Sequence, residues 1–129
     1  MTLVQIATPI ATIGFSGMAI FQLLLALGLP LGKAAWGGKY RIVPSRLRIA
    51  SLISAVIFII GVLVVLEKSG FITIFNSPNF VGYTIWGLTV LFGFSAASNL
   101  ASTSKLEKRI MTPVALILFF SCLILVVFR

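Results

Sequence analysis

The sequence predicts an all-α membrane protein in which four transmembrane helices pack as an antiparallel bundle of two hairpins. Apolar residues make up 60% of the chain and charged residues only 9%, whereas soluble domains are roughly a quarter charged. The charged residues leave four uncharged stretches of nearly twenty residues or more, and about 20 residues are needed to cross a hydrocarbon core. We therefore expect residues 1–129 to form a single integral membrane domain without a soluble domain.

The first predicted span covers residues 4–29. Pro9 lies near its start, where the missing N–H costs little because the first turn of a helix has unpaired donors anyway. Ala26-Leu27-Gly28 loosely fits the small-residue cleavage site of a signal peptide. However, no Lys or Arg precedes Lys33 and the apolar run is too long, so we expect this segment to remain as a helix.

The second and third predicted spans cover residues 49–66 and 80–101. The second span is rich in Ile, Val and Leu and is just long enough to cross the membrane. We expect Gly70 to follow it in the left-handed conformation that glycine adopts easily. Ser77 is a candidate N-cap and Pro78 suits a first helical position, so the third helix is expected to begin there.

The fourth predicted span covers residues 110–128, but its helix is expected to begin before the membrane. Ser104 and Glu107 have the spacing of a capping box, in which the two side chains satisfy unpaired backbone N–H groups at a helix start. Pro113 then falls inside the helix and is expected to bend it near the membrane surface.

The basic residues predict the orientation of the spans, because Lys and Arg in short loops are retained on the cytoplasmic side. Eight of the ten basic residues fall in two predicted loops, residues 30–48 and 102–109. We therefore expect both loops in the cytoplasm and both termini outside. The eight residues are Lys33, Lys39, Arg41, Arg46, Arg48, Lys105, Lys108 and Arg109.

Two predicted spans carry uncharged polar residues along one helical face. In the first span they are Gln5, Thr8, Thr12, Ser16 and Gln22. In the third span they are Thr84, Ser95, Ser98, Asn99 and Ser102. We expect the two spans to meet along these stripes in an intramembrane polar seam, and the alternative is a wetted pathway or ligand site. Gly93, Ala97 and Ala101 add a ladder of small residues that suits close helix approach.

The first basic loop combines five cations with two aromatic residues and flexible glycines. The simplest interpretation is that its cations set the topology and its aromatic residues sit in the membrane interface. The alternative is a site for an anionic phospholipid headgroup, in which backbone N–H groups and cations surround a phosphate. The candidate contacts are Lys33, Trp36, Gly37, Gly38, Lys39, Tyr40, Arg41 and Arg46.

Two stretches resemble a family of small, uncharacterised four-span bacterial membrane proteins. The first is Gly32-Lys33-Ala34-Ala35-Trp36-Gly37-Gly38, followed by Pro44 and Leu47-Arg48, with Val43 where Leu is more usual. The second is residues 102–109, followed by Met111-Thr112-Pro113-Val114-Ala115. The resemblance implies a location in the bacterial inner membrane, and it implies no activity, substrate or cofactor.

The residues that serve acid-base and metal chemistry are scarce. The chain has no His and no Asp, its carboxylates are Glu67 and Glu107, and its single cysteine is Cys122. We therefore expect no enzymatic activity, no cofactor and no metal. No charged residue falls inside a predicted span, which disfavours proton-coupled antiport. Nucleic-acid binding is not expected either, because the basic residues lie next to the membrane.

These features favour a small non-enzymatic membrane protein that associates with itself or serves as an accessory subunit of a membrane complex. A small transporter or channel is the first alternative. It requires more than one copy, because a lone four-helix bundle fills its own centre with side chains. Binding of anionic lipid headgroups through the basic Trp-Gly-Gly loop is the second. The expected partners are the lipid bilayer, anionic phospholipid headgroups, and a second copy or another membrane protein.

Overall fold

The computed structural model describes residues 2–35, 38–102 and 104–127 and confirms the all-α fold. Its helices are α1 (Leu3–Ala26), α2 (Ser45–Lys68), α3 (Pro78–Leu100) and α4 (Lys105–Val127), with a short 3-10 turn at Gly32–Ala34. All four helices are long and apolar enough to cross a membrane. The chain is therefore a multi-pass integral membrane protein.

The four helices form a ring in which each packs mainly on its two neighbours. The sequential pairs α1–α2 and α3–α4 share the most extensive contacts, α4 also packs on α1, and α2 packs less extensively on α3. Helices α1 and α3 are thus diagonal in the ring, whereas their polar stripes had predicted that they pack directly on each other. We call the end that carries the α1–α2 and α3–α4 loops the basic end and the other the opposite end.

The first helical hairpin turns earlier than the hydrophobic pattern predicts. Helix α1 ends at Ala26 rather than at residue 29, and Gly28 follows with φ of 86°, a conformation that suits glycine. Arg48 Nε donates a hydrogen bond of 3.0 Å to the Ala26 carbonyl, which places a cation at the negative end of the helix dipole. Helix α2 begins at Ser45, so the first loop lies three to four residues earlier in the chain than predicted.

Helices α3 and α4 begin where their capping residues predict. Ser77 Oγ accepts a hydrogen bond of 3.2 Å from the Phe80 N–H, with Pro78 at the first helical position, as the sequence predicts. Ser104 Oγ accepts a hydrogen bond of 3.3 Å from the Glu107 N–H. Helix α4 therefore starts at Lys105, five residues before the predicted span, and Pro113 lies inside it.

The loop between α2 and α3 is ordered by one carboxylate. Gly70 has φ of 87°, which confirms the predicted left-handed residue after α2. Glu67 accepts hydrogen bonds from three consecutive N–H groups, those of Ile74 at 2.6 Å, Phe75 at 2.9 Å and Asn76 at 3.0 Å. These bonds hold the loop against the end of α2 and satisfy backbone donors that no helix or strand pairs.

The core fills the bundle axis from its middle to the opposite end. Near the middle, the rings of Phe15, Phe58 and Phe92 form a cluster, with centroids 5.4 Å apart for Phe15 and Phe92 and 5.5 Å apart for Phe58 and Phe92. Beyond this aromatic cluster, buried apolar side chains close the axis. They include Ala7, Ala11, Val64, Val65, Val81, Ile85, Leu118, Cys122 and Leu125.

A second, smaller core folds the first basic loop against the end of α1. Leu25, Ala35 and Val43 are buried together, and Tyr40 packs against them. Gly32 donates its N–H to the Arg41 carbonyl at 2.8 Å, and a Cβ at this glycine would overlap the Tyr40 carbonyl oxygen. The part of this loop that the structure describes is therefore packed on the bundle.

Candidate functional site

A cavity of about 310 Å³ lies within the bundle toward the basic end. All four helices and the first loop line it, and its volume falls in the range of small-molecule pockets. We call this cavity the vestibule. Among the described residues, the polar ones in its lining are Gln22 from α1, Ser54 from α2, Ser95 and Asn99 from α3, and Glu107 from α4.

Gln22 carries the buried polar atom that most clearly indicates a site. Its side chain is 9% exposed, and its Oε1 atom has no hydrogen-bond partner among the residues that the structure describes. A buried acceptor without a partner costs about 1–3 kcal/mol relative to a satisfied one. The residue Gln22 lines the vestibule, and its Oε1 atom is enclosed by the surrounding protein.

Glu107 is buried inside the bundle, although the sequence places it in the loop 102–109. Its residue is 6% exposed and lines the vestibule, while Lys105 and Lys108 on the same turn are exposed. The early start of α4 explains this difference. Glu107 lies in its first turn, on the same helical face as Met111, which is partly buried, and Ala115, which is buried. The vestibule thus contains a carboxylate.

The aromatic cluster closes the vestibule toward the opposite end. Phe58 and Phe92 belong to both the cluster and the vestibule lining, and Phe15 packs against them. Beyond these rings the axis is filled by the buried apolar core. The cavity is therefore closed toward the opposite end.

The vestibule reaches the bundle surface between α2 and α3. Ile57 of α2 and Leu91 of α3 both line the cavity, and each is 41% exposed. Among the neighbouring helix pairs, α2 and α3 share the least extensive contact. This gap faces the region that lipid occupies around a membrane helix, so the vestibule has a lateral mouth.

The predicted polar stripe of α1 divides between two environments. Toward the opposite end it meets α2, since Thr8 Oγ1 lies 2.7 Å from Ser69 Oγ, and Thr12 donates to the Thr8 carbonyl at 2.8 Å. Gln5 is exposed and forms a capping box with Thr2 instead. Ser16 is partly buried, whereas Gln22 reaches the vestibule.

The predicted stripe of α3 is divided in a similar way. Ser95 and Asn99 line the vestibule with Gln22, but Ser98 is exposed on the outer face. Thr84 is partly buried, and Ser102 Oγ accepts a hydrogen bond of 3.1 Å from the Ser104 N–H. The stripes of α1 and α3 therefore share a cavity at the basic end, and they do not form a continuous seam.

A larger groove of about 560 Å³ lies between α1 and α2 toward the opposite end, but it is a weaker candidate. Its hydroxyl groups already have partners, because Thr8 and Ser69 bond to each other and to carbonyls of their own helices. Thr12 bonds to the Thr8 carbonyl. The surface that the groove presents to a ligand is therefore mainly apolar, like the surface that lipid covers.

Three of the candidate headgroup contacts in the first loop lie at the surface of the structure. Lys39, Arg41 and Arg46 are exposed, and Gly38 and Tyr40 are partly buried. Trp36, Gly37 and the side chain of Lys33 lie outside the described residues. In the same loop, Ala34 and Ala35 line the vestibule, so this loop covers part of the cavity.

The small-residue ladder of α3 does not present one continuous outer face. A Cβ placed on Gly93 would lie 3.2 Å from Phe119 Cε1, so this glycine allows close packing of α3 on α4 within the chain. Ala97 and Ala101 are exposed. Only part of the ladder therefore faces outward.

Sequence reasoning found part of the vestibule lining and missed the rest. It singled out Gln22, Ser95 and Asn99, but it found no polar face on the second span and so missed Ser54. The spacing of Ser51 and Ser54, one turn apart, is the signal that identifies this face.

No protein-family model, curated protein or solved structure matches the chain.

Proposed function

We propose that the chain is a non-enzymatic binding protein of the bacterial inner membrane, whose vestibule receives a small amphipathic ligand. The observation that carries this proposal is the cavity of about 310 Å³, which is lined by the buried residue Gln22, whose Oε1 atom has no described hydrogen-bond partner.

The composition of the lining supports an amphipathic ligand. Ligand pockets are mostly apolar and contain a few polar groups that orient the ligand. The vestibule has this character, with five polar residues set among apolar ones that include Phe21, Met18 and Val114. A fully polar solute leaves these apolar walls unused, and a hydrocarbon leaves the polar groups unsatisfied.

Native mass spectrometry of the protein released from nanodiscs tests this proposal. We expect the wild-type chain to retain a small-molecule mass and the Ser95→Leu variant, whose larger side chain fills the vestibule, to lose it. Ser98→Leu is the matched control, because it makes the same change on the exposed face of α3. Retention of the same mass by Ser95→Leu, or a wild-type chain that carries no added mass, contradicts the proposal.

We propose that the basic end lies in the cytoplasm and that both termini lie outside. The concentration of eight of ten basic residues in the two loops at that end supports this orientation. In a Cys122→Ala background, we expect a membrane-impermeant thiol reagent added to intact cells to label Thr73→Cys and not Arg41→Cys. The opposite labelling pattern contradicts the orientation.

We also propose that the protein works as a subunit, associated with itself or with a larger membrane complex. The observation that favours this is the filled bundle axis, since buried side chains leave one copy no open route across the membrane. A transport or channel function then requires further copies. Native mass spectrometry reads the subunit number directly, and a monomer that copurifies with no other membrane protein contradicts this proposal.

Contact with anionic phospholipid headgroups is a second proposed property of the basic end. Lys39, Arg41 and Arg46 are exposed there, and each cation near an anionic surface contributes about 1 kcal/mol. We expect Lys39→Ala combined with Arg41→Ala to reduce the number of anionic lipids retained in native mass spectra. Unchanged retention in the double variant removes this property from the account.

A further inference from the structure

We propose that the amphipathic ligand of the vestibule is an anionic membrane phospholipid, which inserts one acyl chain between α2 and α3 and places its phosphate at Arg46. Such a lipid is one class of the amphipathic ligand proposed above, so the inference rests on that binding function. Three features support it: the gap between the two helices, the order of apolar and polar residues along the gap, and the position of Arg46.

Helices α2 and α3 pack closely at one level and leave a gap at the next level toward the basic end. A Cβ placed on Gly61 of α2 would lie 3.3 Å from Leu88 Cδ1 of α3, so the two helices are in contact there. One turn nearer the basic end, Ile57 and Leu91 both line the vestibule and are each 41% exposed. The lateral mouth therefore opens directly beside a tight helix contact.

The lateral mouth lies at a depth that acyl chains occupy. Ile57 and Leu91 are near the middle of their helices, α2 at Ser45–Lys68 and α3 at Pro78–Leu100. The middle of a spanning helix lies near the middle of a hydrocarbon core about 30 Å thick. Only the apolar chains of a lipid reach this level, since its headgroup stays at the membrane surface. A ligand that enters here from the membrane thus enters with a hydrocarbon chain.

The wall of the vestibule changes from apolar to polar toward the basic end. Phe58 and Phe92 form the wall beside the mouth. Ser95 and Asn99 follow Leu91 by one and two helical turns, about 6 Å and 12 Å along α3. Their hydroxyl and amide groups are hydrogen-bond donors for ester oxygens. This order matches the order of chain and glycerol ester in a phospholipid.

The other polar residues of the wall do not require a polar ligand. Ser54 Oγ donates a hydrogen bond of 2.9 Å to the Ala50 carbonyl. Glu107 already interacts with another group of the protein. The Oε1 atom of Gln22 is enclosed by the surrounding protein. A hydrocarbon chain beside these residues therefore deprives none of them of a hydrogen bond.

Arg46 lies on the face of α2 that borders the mouth. It precedes Ile57 by 11 residues, just over three helical turns, so the two residues share a face about 16 Å apart along the axis. This separation is close to half of the hydrocarbon core of about 30 Å, which places Arg46 at headgroup level. Arg48 instead points toward α1, where it bonds to the Ala26 carbonyl. Arg46 is exposed, and a guanidinium matches the geometry of a phosphate.

The charge of the basic end favours an anionic headgroup over a zwitterionic one. Eight of the ten basic residues lie at that end, and the chain has a net charge of +8. The choline or ethanolamine cation of a zwitterionic lipid is repelled by these side chains. One cation near an anionic surface strengthens binding by about fivefold.

Photocrosslinking of the full chain in nanodiscs tests this proposal. The probe is a phosphatidylglycerol that carries a diazirine near the end of one acyl chain, and mass spectrometry of peptides identifies the crosslinked residues. We expect a crosslink to Ala115 of α4, which lines the vestibule and is 3% exposed, because a chain reaches it from inside the cavity. The yield at Ala115 is measured relative to Phe94, which is 77% exposed and contacts the lipid around the bundle.

Two comparisons test the headgroup site. Arg46→Gln should lower the relative yield at Ala115 by about fivefold. Arg109→Gln is the matched control, because it removes the same charge from an exposed position of α4 at the same end. A phosphatidylcholine with the same diazirine should also give a yield about fivefold lower than phosphatidylglycerol.

The outcomes separate the lipid inference from the binding function. Crosslinks at Phe94 without any at Ala115 show that no chain enters the vestibule, and they contradict the inference. Equal yields from the two lipids, or equal yields in Arg46→Gln and Arg109→Gln, contradict the headgroup site. The native mass spectra test the binding function independently. A retained mass that Ser95→Leu loses and that is not a phospholipid preserves the binding function and contradicts the lipid inference.

Discussion

The two halves of the bundle are formed by the same four helices but differ in what fills their centre. Toward the opposite end, Phe15, Ile85, Leu118 and other apolar side chains are fully buried and close the axis. Toward the basic end, the same four helices surround a cavity of about 310 Å³ with polar groups in its wall. Each of the four helices is long and apolar enough to span a membrane, so the difference lies along the helices and not between them.

This difference indicates which half contains buried polar groups that the packing of the helices does not require. Polar and charged residues inside a membrane protein are costly and are typical of functional sites. Among the residues that the structure describes, the buried oxygens without a partner are Gln22 Oε1 and Thr112 Oγ1, and both lie in the half toward the basic end. We therefore interpret the closed half as the scaffold and the open half as the site.

The largest expected effect comes from opening the closed half. Phe15→Ala removes a ring of the aromatic cluster and should lower the free energy of unfolding by about 3–5 kcal/mol, the range for large-to-small changes of buried aromatic residues. Reversible unfolding of the protein in mixed micelles measures this loss. Ile13→Ala is the control, because Ile13 lies two positions away and is 73% exposed. Equal losses in the two variants contradict a closed, tightly packed half.

A smaller effect is expected at the junction of the first hairpin. Arg48→Leu removes the hydrogen bond to the Ala26 carbonyl and the cation at the end of the α1 dipole. We expect a loss of about 1.5 kcal/mol in the same unfolding experiment, as for hydrogen bonds to charged groups. Arg46→Leu is a control for charge, since Arg46 is exposed. A loss as large in that control assigns the effect to the net charge and contradicts this role of Arg48.

Replacing an unsatisfied hydroxyl in the open half should have the opposite sign. Thr112→Val keeps the shape of the side chain and removes a buried oxygen that has no described partner. The variant should be more stable by about 1 kcal/mol, because a buried polar group without a hydrogen bond is unfavourable. Thermal unfolding compared with wild type checks the sign, and clear destabilisation indicates that the hydroxyl has a partner after all.

The smallest effect is expected at the contact between α1 and α2 near the opposite end. Thr8→Val removes the hydrogen bond with Ser69, and interhelical hydrogen bonds in membranes average about 0.6 kcal/mol. A double-mutant cycle with Ser69→Ala isolates this energy from other effects of the two changes. A coupling several times larger contradicts the view that these hydroxyls only assist packing.

The sequence predicts the helices well because their signals are local. Hydrophobic length fixes the four spans, and capping residues such as Ser77 and Ser104 fix where helices begin. The ends of α1 and α2 are less predictable, since they depend on the packing of Arg48 against Ala26 across the hairpin. Such a contact joins residues 22 positions apart and has no local pattern.

The site is harder to predict because it depends on which helices are neighbours. The polar stripes of the first and third spans predict direct packing, but α1 and α3 are diagonal in the ring. Gln22 and Asn99 consequently meet across a cavity. Glu107 reaches the same cavity only because α4 begins at Lys105 and turns this residue inward. The helical periodicity of the sequence shows which face of a helix a residue lies on. Which neighbouring helix that face contacts is decided by the tertiary arrangement.

The central claim is that the half toward the basic end is open and the other half is closed, and thiol labelling in nanodiscs tests it most directly. The native Cys122 lies fully buried in the closed half and serves as the internal reference. In a Cys122→Ala background, Ser95→Cys should react with N-ethylmaleimide at least about tenfold faster than Cys122 does in the wild type, because thiol reactivity depends on access. Equal rates for the two cysteines would contradict the open vestibule.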